Sequence, residues 1–381
     1  MIDIKDKSQC TGCTACESIC GKKAITMQFD EFGHSYPHVN KEICVECGLC
    51  ETVCPMLHKD EIGRKDGNVY TYAAYNKDLK VRKESTSGGI FTLLAEEILL
   101  NNGVVFAARF DEEFHVIHDH FDTIENIGKY RGSKYVQSSL NGIFKSVKEF
   151  LKVRKVLFVG TPCQVEGLKR YLRKDNPNLV TCDFICMCIS SPRMWDDYLK
   201  EYHTDVKLES ITFKDKRTSW HKWNMLIKDE EGEHLMKGNY NPFFYTYLNQ
   251  YSSRPSCFKC PFRRTHRNSD FTIADCWGID KVNPDFDDDK GCTTLIVQSL
   301  KGKRIFEQIK CKMNYIDYKI EDVRTYNPYI EKQLPCPVDY NLFNSIYIKS
   351  GFSNAYSAVK RQSSWNLMRI KMLFKKIFCK F

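Results

Sequence analysis

Cys10-Thr-Gly-Cys13-Thr-Ala-Cys16-Glu-Ser-Ile-Cys20 and Cys44-Val-Glu-Cys47-Gly-Leu-Cys50-Glu-Thr-Val-Cys54 share one spacing, C-x2-C-x2-C-x3-C, and that spacing decides how the first part of the chain folds. Two-residue gaps let three thiolates converge on one cubane, and the fourth cysteine of each run reaches across to the other cluster. One 4Fe-4S cluster is therefore expected on Cys10, Cys13, Cys16 and Cys54, and a second on Cys44, Cys47, Cys50 and Cys20. Gly12, Ala15 and Gly48 leave room for the inorganic cores. Zinc takes four tetrahedral ligands from two separated pairs, so four cysteines in one run favour clusters over zinc. Pro55 follows the second run, whereas Gly21 stands at the matching place in the first, a small break in the symmetry.

Composition agrees with a metal protein. The 381 residues include 19 cysteines, and Met1 to Gln9 are polar and run straight into the first cysteine, with no apolar stretch of signal-peptide type. Abundant cysteine without a secretion signal points to metal rather than to disulfides, and to a cytoplasmic location. No apolar run approaches the roughly 18 residues of a membrane span. The net charge of +9 is concentrated at one end: beyond Asp339 there are eight lysines and arginines and no acid, leaving +1 for the rest of the chain. That nearly neutral body argues against nucleic acid as a partner.

The stretch 59–69, polar and with two glycines, reads as a linker. Beyond it, helical and strand patterns alternate. Ile90, Leu93, Leu94 and Ile98 have helical spacing up to Gly103, and Val104 to Phe110 reads as a buried strand. Leu140 to Leu151 predicts a helix, Lys155 to Val159 a strand, Gln164 to Arg173 a helix, and Leu179 to Cys186 a strand. Ser191-Pro192 starts another helix, with serine as cap and proline at the first helical position. Later strands are expected at Ile211 to Phe213, Phe271 to Ala274 and Thr294 to Val297. This alternation predicts an α/β unit with a mixed sheet.

Within it stand Glu84-Ser-Thr-Ser-Gly-Gly89-Ile-Phe91, Arg131-Gly-Ser-Lys-Tyr135-Val-Gln137, Gly160-Thr-Pro-Cys163-Gln164, Asp183-Phe-Ile-Cys186, Ser191-Pro192, Lys214-Asp-Lys216, Cys257-Phe-Lys-Cys260 and Asp275-Cys-Trp-Gly278. Together these motifs, spread over about residues 70 to 300, resemble the coenzyme F-420 hydrogenase/dehydrogenase beta-subunit family. The resemblance implies an FAD-dependent iron–sulfur oxidoreductase that splits hydride chemistry into single electrons, with a redox partner protein or a small molecule as substrate. The alternative is a non-catalytic ferredoxin-type electron-transfer subunit of a larger complex. The fold expected is α+β: a small bacterial-ferredoxin-like domain with two 4Fe-4S clusters (1–58), the linker, a larger α/β flavin domain (70–335), and a basic, partly amphipathic tail (336–381).

The residues support parts of this independently. Ser85, Thr86, Ser87, Gly88 and Gly89 precede a helix whose free N–H groups suit a phosphate, with Lys134 as an added charge, although an ordinary capped helix explains the loop on its own. Thr161 closes a strand at the place where α/β sheets hold ligands. Cys163, Cys186, Cys257 and Cys260 form a quartet able to hold a third 4Fe-4S cluster, zinc or nothing. Electron bookkeeping favours the cluster, because a two-electron flavin needs a one-electron neighbour while the first two clusters sit on a separately folded module.

Two departures from the family lie close by: Met187-Cys188 where many relatives have His-Gly, and Cys276 in place of an aromatic residue. His115, His118 and His120 lack a completing ligand set, and Trp220, His221 and Trp223 read equally as core or pocket lining. Cys182, Cys188, Cys292, Cys311, Cys336 and Cys379 read as buried or incidental thiols. In the tail, Ile370, Leu373, Phe374, Ile377, Phe378 and Phe381 repeat at helical intervals among basic residues, a pattern able to lie on the inner face of an anionic membrane or on protein.

Overall fold

The computed structural model describes residues 1–63 and 69–361. Its strands are β1 (Ile25–Phe29), β2 (Ser35–Val39), β3 (Tyr70–Asn76), β4 (Val104–Phe110), β5 (Val116–Phe121), β6 (Val156–Val159), β7 (Leu179–Phe184), β8 (Leu208–Asp215), β9 (Asn224–Asp229), β10 (Gly232–Lys237), β11 (Phe271–Asp275), β12 (Thr293–Val297) and β13 (Met313–Asp317). Eight of them form one sheet in the order β13-β3-β12-β11-β7-β6-β4-β5. The four central strands β11, β7, β6 and β4 are mutually parallel, and antiparallel strands flank them on both sides, so the sheet is mixed as the alternation of elements predicts.

The centre is parallel because both its faces are covered, and its sequence shows it: every residue of Val156–Val159 and all but the last of Leu179–Phe184 are buried. The helix Ile90–Leu100 lays Ile90, Leu93, Leu94 and Ile98 on this sheet. Thr161 and Gln164 cap the helix Pro162–Leu172 reciprocally, with Pro162 in the first turn. Ser191 Oγ accepts the Met194 N–H at 3.3 Å to start Pro192–Tyr202. β8 to β10 make a separate antiparallel sheet.

The N-terminal module packs closely against the body of the chain. Cys13, Ala15 and Val53 share one apolar core with Phe144, Val147, Val165 and Leu168. Gly167 permits the approach, since a Cβ built there stands 2.9 Å from both Cβ and Sγ of Cys13. The described part of the C-terminal segment also packs on the body: Phe343, Tyr347, Phe352, Ala355 and Val359 join Trp195, Tyr198 and Phe243 in one core. The amphipathic pattern from Ile370 to Phe381 and residues 64–68 of the linker lie outside the described residues. No helix among the described residues is long and apolar enough to cross a membrane.

Candidate functional site

A cavity of about 420 Å³ opens at the carboxyl ends of β6, β7 and β11, where Val159, Phe184 and Asp275 form part of its wall. Ser85, Thr86, Ser87, Gly89, Lys134 and Thr161 line it as well. Gly88 is not in the wall. It is wedged behind the loop, its N–H donating to Thr293 Oγ1 at 2.8 Å, and a Cβ there would stand 2.4 Å from the Ala74 carbonyl oxygen.

Two loops meet at this end of the cavity. The Ser133 N–H donates to Thr86 Oγ1 at 2.7 Å, and Arg131 donates to Glu84 at 2.6 Å. Lys134 Nζ donates to the Arg131 carbonyl at 2.9 Å, and desolvation pushes its ammonium down to about 7. Burial together with the nearby Arg82 likewise lowers Lys216 to about 7, while its Nζ ties the Ser87 and Lys290 carbonyls together. A third lysine is paired: Lys214 donates to Asp275 Oδ2 at 2.8 Å, with its Nζ 4.6 Å from the Trp277 ring centre and 5.4 Å from that of Trp223. The cavity is thus a largely apolar slot with a buried lysine, Lys134, and an ion pair in its wall.

Behind the cavity lies a smaller chamber lined by Cys163, Cys186, Cys257 and Cys260, the four cysteines singled out from sequence. Cys163 comes from the first turn of Pro162–Leu172, Cys186 from the stretch just past β7, and the other two from the turn around Pro255–Lys259. Burial holds the Cys163 thiol up at about 11 and raises the other three. Arg254, Arg263 and Arg267 share the chamber wall, a positive surrounding suited to thiolates.

Four thiolates around one zinc at 2.3 Å would stand only about 3.8 Å apart. Among the described residues no three His, Cys, Asp or Glu side chains are placed to hold a single metal ion.

The N-terminal set that the spacing assigns to one cluster also comes together. The electrostatic neighbours of Cys16 are Cys13, Cys10 and Cys54. Those of Cys13 include Cys54, Cys10 and Cys163 of the chamber. Cys50 and Cys44 both face the amino terminus, and Cys20 packs beside Cys50. Cys186, Met187 and Ile189 belong to the walls of both chamber and cavity. The three sites therefore stand in series.

Arg254 was not found from sequence, where an arginine three residues before a C-x2-C pair looks like surface charge. It is fully buried. Trp277, inside the Asp275–Gly278 motif, is partly buried, and its ring stacks on that of Trp220 at 5.0 Å. Trp223 reaches the cavity, whereas Trp220 is core. His118 is a structural histidine: its Nε2 lies 2.9 Å from the Val159 carbonyl and its Nδ1 2.7 Å from Ser138 Oγ, and burial holds it neutral with a pKa near about 4. Cys182, Cys188 and Cys292 are buried and Cys311 and Cys336 exposed, while Cys379 lies outside the described residues.

Clustered cysteines beside an α/β cleft define an iron–sulfur redox protein. The family profile described as coenzyme F420 hydrogenase/dehydrogenase, beta subunit N-term matches residues 71–145, and its C-terminus counterpart matches residues 153–322. A 4Fe-4S dicluster domain profile matches 9–57. The chain belongs to this beta-subunit family and carries a 4Fe-4S dicluster domain at its front.

Among its relatives are two proteins of Methanocaldococcus jannaschii. One, uncharacterized, is 23% identical over 46% of this chain and 56% of its own length. The other, a coenzyme F420-dependent sulfite reductase, is 28% identical over 44% of this chain and 26% of its own. The chain thus spans about half of one relative and a quarter of the other. A ferredoxin-like protein in the nif region of Rhizobium leguminosarum bv. trifolii is 40% identical over 13% of this chain and 78% of its own length. A chain of the F420-reducing [NiFe] hydrogenase complex from Methanosarcina barkeri superposes with a TM-score of 0.46 at 16% identity, covering 80% of this chain and 96% of that one.

Proposed function

We propose that the cavity holds FAD and that the chain passes electrons between it, a third 4Fe-4S cluster on Cys163, Cys186, Cys257 and Cys260, and the two N-terminal clusters. The observation that carries this is the wall shared through Cys186, which leaves one layer of residues between cavity and chamber. When bound, the flavin supplies exchange of a hydride with a substrate and of single electrons with the clusters. The residues supply the rest. Ser85 to Ser87, Gly89 and Thr161 border a site whose Lys134 regains its charge beside a phosphate. Lys214, fixed by Asp275 and two indoles, holds a positive charge at the opposite wall. The deazaflavin in the family's name is one candidate for the hydride partner.

Anaerobic purification with cofactor extraction and visible spectroscopy tests the proposal. One FAD per chain and about twelve irons and twelve sulfides are expected for three clusters. Clusters without flavin would leave the second reading, an electron-transfer subunit. That reading is favoured by the exposed Cys47 and its flanking Val45, 60% exposed, at the far end of the series. Peripheral attachment to an anionic membrane through the basic C-terminal pattern is a separate proposal, and loss of vesicle binding on deleting 358–381 would support it.

A further inference from the structure

Arg254 has no exposed surface, and its donors end on neutral acceptors. Nε donates to the Cys10 carbonyl at 2.7 Å, Nη1 to Gln137 Oε1 at 3.0 Å, and Nη2 to the Ser35 carbonyl at 2.7 Å and to Cys10 Sγ at 3.6 Å. Its guanidinium lies 4.3 Å from the ring centre of Tyr36. A buried charge without a counter-ion is strongly unfavourable, so this one calls for an anion at the place to which its Nη2 points. That place is the sulfur of Cys10. Arg254 also lines the chamber of the other four cysteines, and Gln137 lines the flavin cavity, so the guanidinium sits at the junction of all three sites. Gly12 keeps the junction open, because a Cβ there would stand 2.6 Å from Gln137 Nε2 and 3.0 Å from Arg254 Nη1.

We propose that Arg254 is a positioning residue that sets the reduction potential of the cluster held by Cys10, making it the preferred resting place for an electron arriving from the chamber. The proposal rests on the reading that Cys10 ligates a cluster. One-electron reduction breaks no bond and adds one negative charge to the cluster and its thiolates. A buried guanidinium hydrogen-bonded to a ligand sulfur stabilises that added charge, and hydrogen bonds to sulfur and burial are among the factors that set cluster potentials.

The test uses the full chain, purified anaerobically, with iron and sulfide counted and each cluster followed by potentiometric titration with low-temperature EPR. Arg254→Gln is expected to make one cluster at least tenfold harder to reduce, a fall of about 59 mV for a one-electron couple. Arg254→Lys, which keeps the charge, is expected to restore most of it. Gln137→Glu sets a carboxylate of the same size against the guanidinium and is expected to shift the same signal in the same direction, a test that survives if Arg254→Gln does not assemble. Unchanged midpoints in variants with full iron would overturn the role of Arg254, whereas a wild-type chain with fewer than about eight irons would overturn the cluster reading beneath it.

Discussion

Lys214 Nζ and Asp275 Oδ2 are 2.8 Å apart in the cavity wall, with side chains only 2% and 15% exposed. The pair joins the second sheet, through β8, to the central one, through β11. Removing one partner of such a pair strands the other charge, which costs about 3–5 kcal/mol, whereas removing both is far milder. Lys214→Met is therefore expected to lower the urea midpoint strongly, and Lys214→Met with Asp275→Leu to recover most of it. A double-variant loss equal to the sum of the two single losses would show that the charges act independently.

The chamber cysteines are predicted to act as a set. Cys257→Ser is expected to lower the iron content from about twelve to about eight per chain, while the exposed Cys311→Ser leaves it unchanged. The count is made on the full chain, because the front module shares its core with the body and a truncated chain would expose that core.

Lys134, lowered to about 7 by burial, gives binding a definite pH dependence. A phosphate beside it raises its pKa, so binding takes up a proton and affinity falls as pH rises above about 7, by up to tenfold per pH unit. Titration with FAD between pH 6 and 9 is expected to show this slope, and Lys134→Met to abolish it. For folding itself the sign is the reverse: the folded state holds fewer protons than the unfolded one above about 7, so stability rises with pH through that window.

Gly167→Ala opposes two effects of known sign. Helix propensity favours alanine by about 1 kcal/mol, but overpacking against Cys13 costs about 1–3 kcal/mol. A net loss is expected, read as faster bleaching of the visible absorbance in the presence of a chelator. Slower bleaching would mean that the module yields without cost.

Much of this protein was legible in the residues alone. The eight front cysteines declare their chemistry by spacing, because cluster ligation by adjacent thiolates is a local constraint. The central strands and their helices follow from apolar runs and caps, which are local too. β1, β2, β3, β5, β9, β10 and β13 were not anticipated. β3 (Tyr-Thr-Tyr-Ala-Ala-Tyr-Asn) and β13 (Met-Asn-Tyr-Ile-Asp) are held by antiparallel pairing to partners far along the chain rather than by apolar runs of their own.

What only the tertiary structure decided is convergence. Cys163, Cys186 and the Cys257 pair are separated by loops whose closure no local pattern encodes, yet the sheet order brings them to one chamber. Arg254 shows the same limit: its identity is plain in the sequence, but burial against Cys10, 244 residues away, is what turns an ordinary surface-type side chain into a buried charge beside the front cysteines. Ligand spacing is fixed by covalent geometry over a few residues, whereas electrostatic environment is set by whatever the whole fold packs around a group.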